Sequence, residues 1–202
     1  MASLASVNER IMEHYYQNIQ GWFIYQEIYD IAVQTAQDGA HFVEVGSWRG
    51  RSTSYMGVSI ANSGKDIKFD AIDTWRGSLD EEVHQKDPSV VNDTLYDEFL
   101  VNIEPVKQYV NPIRATSQDA VKQYEDNSLD FVLIDGSHMY ADVYADITEW
   151  LKKLKPGGLI AGDDYEWCMP GDKGVKGAVN ELLPGFTLFE QIGCWAYFKT
   201  DK

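Results

Sequence analysis

A chain of 202 residues with 44% hydrophobic and 24% charged residues has the make-up of a globular domain, and a single domain over 1–202 is expected. Seventeen basic against 32 acidic residues leave a net charge of −15, a field that repels phosphate backbones and anionic membranes, so neither nucleic acid nor a membrane is an expected partner. No run approaches the ~20 apolar residues of a membrane span. Glu9, Arg10 and Glu13 interrupt the start where a signal peptide would be apolar, and Cys168 and Cys194 are too few for a disulfide framework, so a cytoplasmic protein is expected.

Val7, Ile11, Tyr15 and Ile19, then Ile24, Ile28, Ile31 and Thr35, recur at helical spacing and predict two helices within 1–39, part of a lid over the core at 40–202. A first strand over 41–45 runs into a glycine turn, and a helix follows with Met56, Val58 and Ile60. A second strand covers 67–72, a polar segment 76–93, and a helix carries Leu95, Phe99, Leu100 and Ile103. A third strand is expected at 109–115 and a fourth at 129–134. The next helix presents Val143, Ile147, Leu151 and Leu154, and Lys155-Pro156-Gly157-Gly158 is expected to end it. A fifth strand at 158–161, a helix near 174–183 and strands at 186–191 and 194–199 complete the chain, the last two as a hairpin across Ile192-Gly193. Strand-helix alternation means an α/β fold with a mostly parallel sheet covered on both faces, whose ligands bind at the carboxyl ends of the strands.

The residues after each strand therefore carry the functional reading. Glu44-Val45-Gly46-Ser47-Trp48-Arg49-Gly50-Arg51-Ser52 lacks the third glycine of a dinucleotide turn, but glycine there permits close backbone approach to a ligand without phosphate. Glu44 is a candidate for an ammonium group, and Asp73, after strand two, for ribose hydroxyls. Thr116, Ser117 and Gln118 follow strand three, and their polar groups suit either an adenine edge or a helix cap. Asp135 and His138 follow strand four, and Asp163 and Asp164 follow strand five. Three carboxylates on one rim repel one another unless a hard divalent cation such as Mg²⁺, Mn²⁺ or Ca²⁺ joins them, and His138 beside them suits a general base. Trp75, Arg76, His84 and Trp167 are candidates for lining an acceptor pocket.

The segments VEVGSWRGRST, DAIDTWRGS and LDFVLIDGSHMYADVYADITEWLKKLKPGGLIAGDDY, in that order, resemble class I S-adenosylmethionine-dependent methyltransferases over roughly 40–183. They look closest to the metal-dependent small-molecule O-methyltransferases of the catechol and macrocin or macrolide-sugar types. The resemblance implies a Rossmann-like, doubly wound seven-stranded sheet with the last strand antiparallel. By position it implies Glu44, Gly46, Ser47, Trp48, Gly50 and Ser52 in the cofactor's first loop and Asp73 at the ribose. It puts Thr116, Ser117 and Gln118 near adenine, and Asp135 beside cofactor and metal. Asp135, Asp163 and Asp164 correspond to the metal carboxylates, with Mg²⁺ the metal expected, and His138 to the catalytic base. The expected reaction is metal-assisted O-methylation of a small hydroxylated acceptor, a sugar or a phenol, with a homodimer left open. A histidine of pKa ~6.5 faces a gap of about 9 units, roughly 12 kcal/mol, to an alcohol near ~15.7, but only about 3 to 4 units to a phenol, so a sugar needs base and metal together. The rival readings are an NAD-dependent oxidoreductase and a non-catalytic cofactor-binding module on a similar fold.

Overall fold

In the computed structural model, which describes residues 11–200, the apolar runs form one seven-stranded sheet in the order β3-β2-β1-β4-β5-β7-β6. The strands are β1 (Ala40–Val45), β2 (Ile67–Asp73), β3 (Asn111–Arg114), β4 (Leu129–Ile134), β5 (Leu154–Gly162), β6 (Thr187–Phe189) and β7 (Cys194–Phe198). The helices are α1 (Gln26–Thr35), α2 (Arg51–Ser63), α3 (Glu82–Gln85), α4 (Pro88–Val91), α5 (Leu95–Ile103), α6 (Ser117–Ala120), α7 (Tyr140–Lys153) and α8 (Gly174–Leu182). Only β7 runs against the rest, pairing antiparallel with both β5 and β6, so the expected class I topology holds. Among the described residues no helix is long and apolar enough to cross a membrane.

The central strands are buried on both faces, as a parallel sheet requires. Alternation sends Phe42, Phe69 and Phe131 to the side of α1, α2 and α5, and Val43, Val132 and Ile160 to the side of α7 and α8. Register then builds the functional rim. Val45 pairs with both Ile72 and Ile134, and Ile134 with Gly162, so Gly46, Asp73, Asp135 and Asp163 follow on neighbouring strands. The strand order reverses between β1 and β4, the crevice where ligands bind in such sheets.

Four expectations on the elements change. Over the described part of the first predicted helix, Ile11–Ile19, the chain forms only a single 3-10 turn at Tyr16–Asn18; Val7 lies outside the described residues. The helix of Val143, Ile147 and Leu151 ends at Lys153, and Leu154 is already extended and paired with Leu129. Pro156 disfavours helical backbone at Lys155, and the loss propagates one residue further back. β3 and β6 are shorter than expected, and the polar segment 76–93 contains α3 and α4, the latter started by Pro88 behind an Asp87 cap.

Candidate active site

A cavity of about 920 Å³ opens over the carboxyl ends of the strands. Gly46, Ser47, Trp48, Ser52, Asp73, Thr116, Ser117 and Gln118 line it, together with Asp135, His138, Asp163 and Asp164. Asp73 organises the turn: its Oδ2 accepts the amides of Ser47 and Trp48 at 2.9 and 2.8 Å, and its Oδ1 that of Trp75 at 2.7 Å. A carboxylate offers about four lone-pair sites, so about one remains, on Oδ1, for a ligand hydroxyl. The buried Ser47 Oγ has no hydrogen-bond partner among the described residues.

The glycines of the turn answer to the protein itself. Gly46 has φ +92°, and a Cβ there would lie 1.9 Å from the Asp135 carbonyl oxygen. Gly50, at φ +83°, starts α2 beneath Ile103 and Phe99 and does not line the cavity. Glu44 also differs from expectation. Alternation turns it away from the cavity into the α1–α2 side, fully buried, where it accepts the hydroxyls of Tyr29 (2.5 Å) and Thr53. Burial raises its pKa against those bonds, and it has no direct path to a ligand ammonium.

At the other end, Asp135, His138 and Asp164 bring one ligand atom each within 4.8 Å of one another. His138 Nε2 is 3.1 Å from Asp164 Oδ2, and Nδ1 is 3.2 Å from Asp80 Oδ2, which also accepts the His138 amide. Asp135 Oδ2 accepts Tyr25 Oη at 2.8 Å. Asp163 stands beside this group but outside it, its Oδ1 taken up by the Asp164 amide and Cys194 Sγ. The ligand atoms grouped most tightly thus include the His138 imidazole, with the carboxylate of Asp163, the remaining one of the three expected aspartates, to one side. Burial pushes Asp135 well above the usual carboxylate range, with Asp163 and Asp164 adding to it, and burial raises Asp163 to about 6. For His138, burial acts downward, but the bond and charge of Asp164 and then the charges of Asp135 and Asp80 outweigh it and hold the imidazole at about 9. While those carboxylates are uncompensated the imidazole stays protonated at neutral pH, and it becomes a free base once their charge is offset.

The acceptor candidates divide. His84 lines the cavity, stacked on Trp48 at 4.1 Å, with a buried Nε2 that has no hydrogen-bond partner among the described residues and Glu81 Oε2 at 3.9 Å; burial lowers its pKa against the charge of Glu81. Trp167 covers His138, ring centroids 4.7 Å apart, without lining the cavity. Trp75 is fully buried against Tyr96 and Phe99, its Nε1 on the Trp48 carbonyl, so it supports the turn from behind. Arg76 is exposed and outside the lining. Sequence reasoning missed Tyr25, Tyr29, Asp80 and Asp146. Asp146 left a signal: it falls on the buried stripe of α7 with Val143, Ile147 and Trp150, where a charge is out of place. It is 5% exposed, and its Oδ1 accepts Ser117 Oγ at 2.6 Å and Gln118 Nε2 at 2.8 Å.

The methyltransferase-domain family matches residues 43–165, from β1 through the Asp163-Asp164 rim. The uncharacterized protein y4gI of Sinorhizobium fredii is 28% identical over 124 residues, 61% of this chain; the chain spans only 13% of that protein's length. The O-methyltransferase NovP superposes with a TM-score of 0.65 at 18% identity, over 87% of this chain and 79% of NovP. The O-methyltransferase from Bacillus cereus gives 0.58 at 18% identity, over 91% and 86%. These likenesses extend the agreement in fold beyond the matched segment. With the strand order, the turn after β1 and the family match in agreement, the chain belongs to the methyltransferase-domain family and has the class I fold.

Proposed function

We propose that this protein transfers the methyl group of S-adenosylmethionine to a hydroxyl oxygen of a small acceptor, a sugar or a phenol, with a divalent cation held by the carboxylates of Asp135 and Asp164 and His138 beside it as the base. The observation that carries the reading is one cavity with two chemically distinct ends. Asp73 and the Ser47 turn suit a ribose and its neighbouring polar groups, and the acid–imidazole trio suits a cation and a hydroxyl. NovP and the Bacillus cereus enzyme are O-methyltransferases, the latter described in complex with adenosylhomocysteine, which supports the choice of donor and acceptor atom.

The two carboxylates fit a hard divalent metal that keeps open positions. When bound, such an ion supplies the positive charge that offsets the carboxylates and lowers the pKa of an acceptor hydroxyl. The chain's own groups do the rest. Asp80 on Nδ1 orients the His138 ring and leaves Nε2 to take the hydroxyl proton. Tyr25 fixes Asp135, and Trp167 covers the imidazole. The acceptor oxygen forms its bond to the methyl carbon as the carbon–sulfur bond breaks, the pair goes to sulfur, and the proton passes to His138. Trp22, Ile24 and Leu79 line the cavity while 62%, 50% and 90% exposed, a lid edge suited to an acceptor with an apolar part. The His84 Nε2 is available to hydrogen-bond it.

Adenosylhomocysteine release with a panel of sugars and phenols tests this. Turnover is expected to vanish in EDTA and return with Mg²⁺, and to fall by about 100-fold or more in His138→Ala. Turnover indifferent to both would contradict the metal-and-base mechanism. The turn lacks a third glycine, and no observation in the cavity favours NAD.

A further inference from the structure

Ser117 and Gln118, the residues expected to meet the adenine edge, have turned their donors elsewhere. Trp150 Nε1 donates to Ser117 Oγ at 2.8 Å, and both Ser117 Oγ and Gln118 Nε2 donate to Asp146 Oδ1. Oδ2 of Asp146 accepts nothing from the described residues, although the side chain is 95% buried by its 5% exposure and lines the cavity. Among the polar atoms at this end is therefore an unengaged carboxylate oxygen, which only accepts.

We infer that Asp146 selects the cofactor's base: its Oδ2 accepts the exocyclic amino group of adenine and rejects a base with an oxo group at that position. This rests on the donor named under Proposed function. Adenosylmethionine has three kinds of donor: the α-ammonium, the ribose hydroxyls and the adenine amino group. Asp73 at the end of β2 suits the ribose, and the sulfonium with its amino-acid part must lie toward the acid–imidazole group after β4 and β5, so the base and its amino group point to the opposite wall, where β3 runs into α6 and α7 passes. Hypoxanthine, the deaminated base, would set its oxygen against the carboxylate, two acceptors with no proton between them. The two donors on Oδ1 sharpen the consequence. In Asp146→Asn they hold the amide oxygen at the Oδ1 position and turn the NH₂ toward the cavity, replacing an acceptor with a donor.

The test is calorimetric titration of S-adenosylhomocysteine and S-inosylhomocysteine into the wild-type protein, Asp146→Asn and Asp146→Ala, each checked for folding by circular dichroism. The wild type is expected to prefer the adenosyl compound by about 100-fold. Asp146→Asn should invert or erase that preference, and Asp146→Ala should weaken it without inversion. A purely structural Asp146 would change both affinities together and leave the ratio intact, which overturns the inference. Equal binding of the two compounds by the wild type overturns it without any variant. Binding of neither by the wild type removes the adenosylmethionine reading itself, an outcome distinct from an unchanged ratio.

Discussion

Asp146 couples stability to function. Burial, the largest influence, pushes its pKa up to about 6 from an ordinary 3.8 despite the bonds from Ser117 and Gln118, and Asp142 adds to the rise. Because the folded-state value is the higher one, the folded protein binds the proton more tightly. Stability thus increases as pH falls through about 6 toward 3.8, and at pH 7 the ionised group costs on the order of 1–3 kcal/mol. Asp146→Asn keeps an oxygen for both donors and carries no charge. Urea unfolding should show it more stable than wild type at pH 7.5 by about 1–3 kcal/mol, with the gap about halved at pH 5 and closing only toward pH 3.8. A variant less stable at pH 7.5 would contradict this. A substitution that strengthens the fold while spoiling base selection marks a residue kept for its ligand. Residues that end a strand, such as Asp73, Asp135 and His138, were legible in the sequence because register alone brings them together. Tyr25 and Asp80 were not: they reach Asp135 and His138 across 110 and 58 residues of chain.

The helix α1 ties the N-terminal segment to the site. Ten residues without a side-chain cap are marginal as an isolated helix, so packing must hold it. Two hydroxyls at its start do so, Tyr25 on Asp135 and Tyr29 on Glu44. Tyr29→Phe leaves the buried Glu44 carboxylate with one donor fewer, a loss of about 2 kcal/mol. Hydrogen exchange should quicken in α1 well before β1 and β4 change; uniform quickening across the sheet would show that Tyr29 serves the whole core instead. Helical periodicity revealed α1, α5 and α7. It misled at Ile11–Ile19, where the described residues form one 3-10 turn, and at Leu154, whose apolar side chain fits a helix stripe and a buried strand equally well.

Across the molecule, the alternation of strands and helices was sufficient for a mostly parallel sheet with its ligand crevice at the carboxyl ends of the strands, while the seven strands and the antiparallel last one were implied by the family resemblance. The purpose of the turn was harder to read. Gly46 and Gly50 are glycines because Asp135, Phe99 and Ile103 crowd them, a requirement of packing that sequence spacing cannot distinguish from ligand approach. The charge of −15 also takes on a local meaning, since Asp80, Asp135, Asp163 and Asp164 crowd around the one imidazole of His138. A cation should relieve that repulsion, so Mg²⁺ is expected to raise the melting temperature and EDTA to abolish the rise, read by differential scanning fluorimetry. No shift with Mg²⁺, Mn²⁺ or Ca²⁺ would contradict the proposed cation. The central claim is that the cavity over β1, β2 and β4 holds adenosylmethionine. Isothermal titration of S-adenosylhomocysteine, with NAD titrated in parallel, tests it most directly: one-to-one binding of the former and none of the latter is predicted, and binding of NAD alone would contradict the account.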